Sequence, residues 1–141
     1  MPADPACIFC KIAAGQIPCF KVYEDEVVLA FLDIGPLVTG HTLVIPKSHH
    51  PNIMETPPET LAAISLRIPK IASAVLAQTG AKACHVLVNN GSDALQSVFH
   101  LHYHILPRSP GDSFRIPWNA GTLEKSAGAA LAQAIHSRIP L

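Results

Sequence analysis

The chain has 141 residues, 49% of them hydrophobic, and its ten basic and ten acidic side chains leave a formal net charge of zero. That is enough apolar material for one domain with its own core and too much for disorder, while the even charge gives no footprint for nucleic acid or an anionic membrane. No apolar run reads as a membrane span and residues 1–6 lack the basic region and apolar core of a secretion signal. The expectation is therefore a cytoplasmic protein whose four cysteines are thiols or metal ligands.

Residues 7–15 read as a short helix closed by Gly15. It carries Cys7-x-x-Cys10, the commonest two-ligand spacing for tetrahedral zinc; a redox pair is the alternative, but no thioredoxin-like βαβ pattern follows. Strands are expected at 20–24 and 27–32, with a turn at Asp25-Glu26. In the second, Leu29, Phe31 and Asp33 share a face, which sets an aromatic ring beside a carboxylate. Gly35-Pro36 breaks that strand, and residues 41–46 form another, ended by Pro46.

Thr56-Pro57-Pro58-Glu59 predicts a helix start, with Thr56 as cap, Pro57 in the first position and Glu59 completing a capping box. Leu61, Ile64, Ile68, Ile71 and Val75 then mark one apolar stripe running to Gly80, with a kink expected at Pro69. Residues 84–88 read as a strand, 89–95 as a polar loop, 109–119 as a loop and 123–137 as an alanine-rich helix. Strands and helices do not alternate regularly, so the fold class is α+β: a largely antiparallel sheet with one long and one C-terminal helix.

Between the polar loop and residue 109 lies the stretch that carries chemistry. In Gln96-Ser97-Val98-Phe99-His100-Leu101-His102-Tyr103-His104-Ile105-Leu106, histidines alternate with apolar residues. As a strand it puts His100, His102 and His104 on one face and Phe99, Leu101, Tyr103 and Ile105 on a core-facing one. Three imidazoles pointing away from a core mean a metal site, a nucleophile site, or both.

This stretch resembles the signature of the histidine triad family, and the chain is similar to its Hint branch, in the form with an N-terminal Cys-x-x-Cys zinc site. The resemblance covers residues 7–108 and treats 109–141 as a looser C-terminal loop and helix of the same single domain, 1–141. It implies the histidine triad fold, a two-fold homodimer, and a hydrolase acting at the α-phosphorus of purine nucleoside 5′-monophosphate derivatives, adenosine phosphoramidates foremost. A dinucleoside polyphosphate hydrolase, or a zinc-stabilised nucleotide-binding module with little turnover, are the alternatives.

In this implied scheme His102 is the nucleophile that becomes nucleotidylated, with His104 and Ser97 serving the phosphate and leaving group. Asp33 takes the ribose hydroxyls, Phe31 and Ile34 flank the base, and Ile8, Phe9 and Ile12 form the opposite wall. Asn89 and Gln96 lie near the phosphate. Structural zinc is assigned to Cys7, Cys10, His49 and His100, with His50 competing for the place of His49, and no catalytic metal is expected. Leu95 stands where the family usually has a glycine, which narrows the site or tilts the loop. Cys19, Cys84, His41, His85 and His136 read as structural or exposed. Trp118 closes over a ligand or anchors its loop, and Arg108 reaches a phosphate, a dimer partner or solvent.

Overall fold

A computed structural model describes residues 2–140. Five strands form one antiparallel sheet in the order β1-β2-β3-β5-β4: β1 Lys21–Glu24, β2 Val28–Leu32, β3 Thr42–Pro46, β4 Ala83–Val88 and β5 Tyr103–Arg108. Three α-helices accompany it: α1 Ile8–Ala13, α2 Pro58–Thr79 and α3 Lys125–His136. The α+β expectation holds. Asp25 makes the β1–β2 turn, its Oδ1 accepting from the amides of Val27 (2.9 Å) and Val28 (2.8 Å). Its Oδ2 accepts from Arg67 Nε of α2 at 2.5 Å, so one carboxylate ties the hairpin to the long helix.

The sheet is covered on both faces. On one, Val28, Ala30, Val44, Leu101 and Ile105 pack with Ile64, Ile71 and Val75 of α2. On the other, Leu29, Phe31, Leu43 and Ile45 pack with Cys7, Phe9 and Cys10 from the start of the chain and α1. This is period-two alternation in strands with two dry sides, and all five residues of β3 are buried.

Four expectations need correction. The triad stretch becomes a strand only at Tyr103; Leu101 N–H instead donates to the carbonyl of His50 at 2.6 Å. His100 and His102 are buried beneath α1, while Phe99 is 54% exposed and not in the core, because the face opposite α2 is also an interior. Helix α2 starts at Pro58 with Pro57 as its cap and no side-chain cap bond. The Thr56 hydroxyl donates to the carbonyl of Asn52 at 2.6 Å, closing a 3-10 turn at Ile53–Glu55, so no capping box forms. The helix runs through Pro69 to Thr79 and ends on Gly80 at φ 74°, the left-handed conformation that glycine adopts freely. Finally, α2 is long and apolar enough to cross a membrane by length and composition, which the sequence pattern alone did not suggest; here its stripe packs on the sheet.

Candidate active site

Helix α1 lies over the histidine face and builds two adjoining centres. The first is a cluster in which ligand atoms of Cys7, Cys10, His49 and His100 all lie within 4.8 Å of one another. His100 Nε2 donates to the carbonyl of Pro46 at 2.9 Å. A carbonyl only accepts, so the proton sits on Nε2 and the Nδ1 lone pair faces the thiols, 3.5 Å from Cys7 Sγ and 3.6 Å from Cys10 Sγ. His49 Nδ1 stands 3.3 Å from Cys10 Sγ. Two thiols and two imidazoles, one with its tautomer pinned by a backbone carbonyl, suit tetrahedral zinc. Burial raises the Cys10 thiol pKa above its ordinary value, so without a cation that thiol stays protonated. His50 is outside this group: its Nε2 pairs with Ser48 Oγ at 3.0 Å.

The second centre is the pocket on the other side of Phe9, lined by Ile8, Phe9, Ile12, Phe31, Asp33 and Ile34, with Ser97, His102 and His104 also in its wall. Phe9 meets Phe31 edge-on at 5.6 Å between centroids and His102 at 5.1 Å. The slot is flat and apolar, with polar groups at one end, the form a purine nucleoside fits. Asp33 Oδ1 accepts from the amide of Gly35 at 2.8 Å, which fixes the carboxylate at the pocket rim.

The polar end is a sequence of assigned protons. His102 Nδ1 donates to the carbonyl of His100 at 2.7 Å, leaving the Nε2 lone pair free. The amide of Leu37 donates to His41 Nδ1 at 3.2 Å, so His41 carries its proton on Nε2 and donates to His104 Nδ1 at 2.8 Å. His104 must therefore bear its proton on Nε2, a buried donor with no partner among the described residues. The rings of His102 and His104 are 4.9 Å apart. A lone pair and an N–H donor thus stand side by side, the pairing needed to attack a phosphorus and hold its oxygen or leaving group. Burial lowers the pKa of His102 and, with the neighbouring His102 and His41, takes His104 down to about 4, so both rings are neutral at pH 7.

His41 is the residue that the sequence pattern missed. It is 2% exposed and sets the His104 tautomer. The signal was there: His41, Leu43 and Ile45 alternate onto one face, and Leu43 pairs with His104. Two predicted phosphate-side residues lie apart from the pocket lining. The Gln96 amide is spent on the backbone, accepting from Gly91 N–H (2.8 Å) and donating to Pro51 O (2.6 Å), while Asn89 Nδ2 reaches the Leu95 carbonyl at 3.5 Å. Both brace the loop before Ser97. Leu95 itself sits at φ 66° with its side chain 82% exposed, so it keeps a glycine-type backbone without filling the slot. Arg108 is held by Asp112 and the Phe114 carbonyl, and Trp118 is exposed.

The HIT domain profile matches residues 14–111. The chain is 48% identical over 106 residues to adenylylsulfatase HINT3 of Arabidopsis thaliana, covering 75% of this chain and 54% of that protein, so it spans about half of that relative's length. It is 40% identical over 136 residues to adenosine 5′-monophosphoramidase hnt1 of Schizosaccharomyces pombe, covering 95% and 98%. Among solved structures, a protein from Streptococcus mutans superposes with TM-score 0.96 at 44% identity, covering 99% of this chain and 90% of that one. An HIT family member from Bacillus subtilis gives 0.92 at 44%, covering 96% and 99%. A Zn-bound histidine triad family protein from Mycobacterium smegmatis gives 0.73 at 38%, covering 94% and 98%.

Proposed function

From the premise that this chain belongs to the HIT domain family, we propose that it hydrolyses purine nucleoside 5′-phosphoramidates through a nucleotidyl-histidine. The observation that carries this is the proton assignment: a His102 Nε2 lone pair beside a His104 Nε2–H, at the polar end of an apolar slot. His102 Nε2 attacks the α-phosphorus and a P–N bond forms as the P–N bond to the amine breaks. His104 Nε2–H, held in that tautomer by His41, hydrogen-bonds the leaving nitrogen, which takes its proton from solvent as it departs, and Ser97 serves the phosphoryl oxygens. Water then attacks phosphorus and the His102–P bond breaks, releasing the nucleoside monophosphate.

The leaving group is read from charge. Among the described residues that line the slot Asp33 is the one carboxylate, and none is a lysine or arginine that could meet a polyphosphate tail. An amine leaves without added negative charge, so phosphoramidates suit the site better than dinucleoside polyphosphates. Structural zinc on Cys7, Cys10, His49 and His100 supplies a cross-link that holds α1, and with it Ile8, Phe9 and Ile12, against the triad; no bond is made or broken on the metal. The Zn-bound Mycobacterium smegmatis relative supports a zinc reading of the cluster.

Turnover of adenosine 5′-phosphoramidate and diadenosine tetraphosphate, measured side by side, tests the proposal. The expected result is faster turnover of the phosphoramidate by at least about tenfold, a difference of about 1.4 kcal/mol in transition-state stabilisation. Equal rates would sink the charge argument. No turnover of either, with AMP still bound, would make the protein a binding module.

A further inference from the structure

The polar end of the slot adjoins a second hollow. Ile8, Ser97 and Val98 stand in the wall of the nucleoside slot and also in the wall of a shallow groove of about 280 Å³, which Asp4, Ala6 and Phe99 help to complete. In the proposed reaction the nucleoside takes the apolar slot, and the departing amine lies on the far side of phosphorus from His102, since attack and departure are roughly in line. Ser97 is the one hydroxyl common to both hollows, so the groove continues the slot at its phosphate end.

The groove is apolar apart from one charge. Ile8 and Phe99 are 46% and 54% exposed, and both line it. Asp4 is its only charged side chain. The backbone of Asp4 is tied to α1: its amide donates to Cys10 Sγ at 3.4 Å, and its carbonyl accepts from the Cys7 amide at 3.0 Å. One carboxylate oxygen, Oδ1, accepts from the Ala6 amide at 2.8 Å. Among the described residues no hydrogen bond reaches the other oxygen, and no lysine, arginine or histidine forms an ion pair with it. A braced carboxylate beside apolar walls favours a cation carried on an apolar stem, and the Phe99 ring adds to that attraction.

We propose that this groove is a leaving-group subsite, in which Asp4 gives preference to phosphoramidates whose amine bears a second, positively charged group on an alkyl chain. This rests on the phosphoramidase reading of the site. The P–N bond breaks as before and the departing nitrogen takes its proton from solvent, while the distal ammonium is bound and not altered. A contact made equally in the ground and transition states acts through KM.

Three adenosine 5′-phosphoramidates with amines of matched chain length test this. Putrescine ends in an ammonium, pentylamine in a methyl and δ-aminovalerate in a carboxylate. The expected order of kcat/KM is putrescine, pentylamine, δ-aminovalerate, with about threefold between successive members, the scale of a half-exposed charge pair. The differences should lie in KM and shrink as salt is raised. In Asp4→Asn the spread should narrow toward equal rates, and in Asp4→Lys the two charged substrates should change places. A role confined to bracing the start of α1 would instead lower all three rates together and leave their order intact. That result would overturn the subsite, as would equal rates in the parent chain, or turnover of the unsubstituted phosphoramidate but of none of the three. Turnover of no phosphoramidate at all would overturn the underlying reading, and the subsite with it.

Discussion

At the scale of single residues, the site depends on which nitrogen carries a proton. His104 is held neutral, its pKa lowered to about 4, first by burial and then by His102 and His41. A histidine whose folded pKa lies below its unfolded value of about 6.5 contributes stability that is whole above that value and is lost as the pH falls toward about 4. Urea midpoints should therefore decline from pH 6.5 to 4, and His104→Gln should make the decline shallower; an unchanged slope would show that another group titrates. Leu95 is a second residue-scale case. A branched aliphatic residue in the left-handed region costs roughly 1–2 kcal/mol, partly offset by the greater chain entropy of glycine. With the side chain exposed, little packing is lost on its removal, so Leu95→Gly should stabilise by about 0.5–1 kcal/mol. A thermal melt checks it, and a lower melting temperature would show that the side chain has a packing role.

At the scale of elements, α1 joins the two centres. Cys7 caps the helix, its Sγ accepting from the Cys10 amide at 3.4 Å, and also belongs to the metal cluster, while Phe9 two residues on presses against His102. A structural zinc contributes on the order of 10 kcal/mol of apparent binding energy, part of it as folding stability. Cys10→Ala and His49→Ala should each lose zinc and melt many degrees lower, with turnover falling as the pocket wall loosens. His102→Ala should do the reverse, keeping metal and melt while turnover drops by at least roughly 10³-fold. Metal analysis beside melts and rates separates the two roles, and full zinc in His49→Ala would redirect the assignment to His50.

Over the whole molecule, what was legible in the sequence was whatever a short period encodes. Alternation gave the strands and the shared face of Phe31 and Asp33, while the union of the triad with Cys-x-x-Cys came only from the family resemblance. The cap of α2 was not legible, because Thr56 had a competing acceptor in the Asn52 carbonyl four residues earlier. Nor was the role of His41, which depends on a partner 63 residues away and on the register of β3 against β5. The burial of His100 and His102 escaped for a related reason: a short helix at the start of the chain turned a face that alternation marks as open into an interior. The uninterrupted burial of β3 has a consequence for variation. A strand with one wet side accepts polar substitutions at every second position, whereas β3 has none to offer. In a saturation library selected for folded protein, Thr42 through Pro46 should tolerate only replacements near their own volume, position after position. The partly exposed β1 and β4 should show permissive sites between restricted ones, and a sawtooth of tolerance along β3 would show that one of its sides reaches solvent.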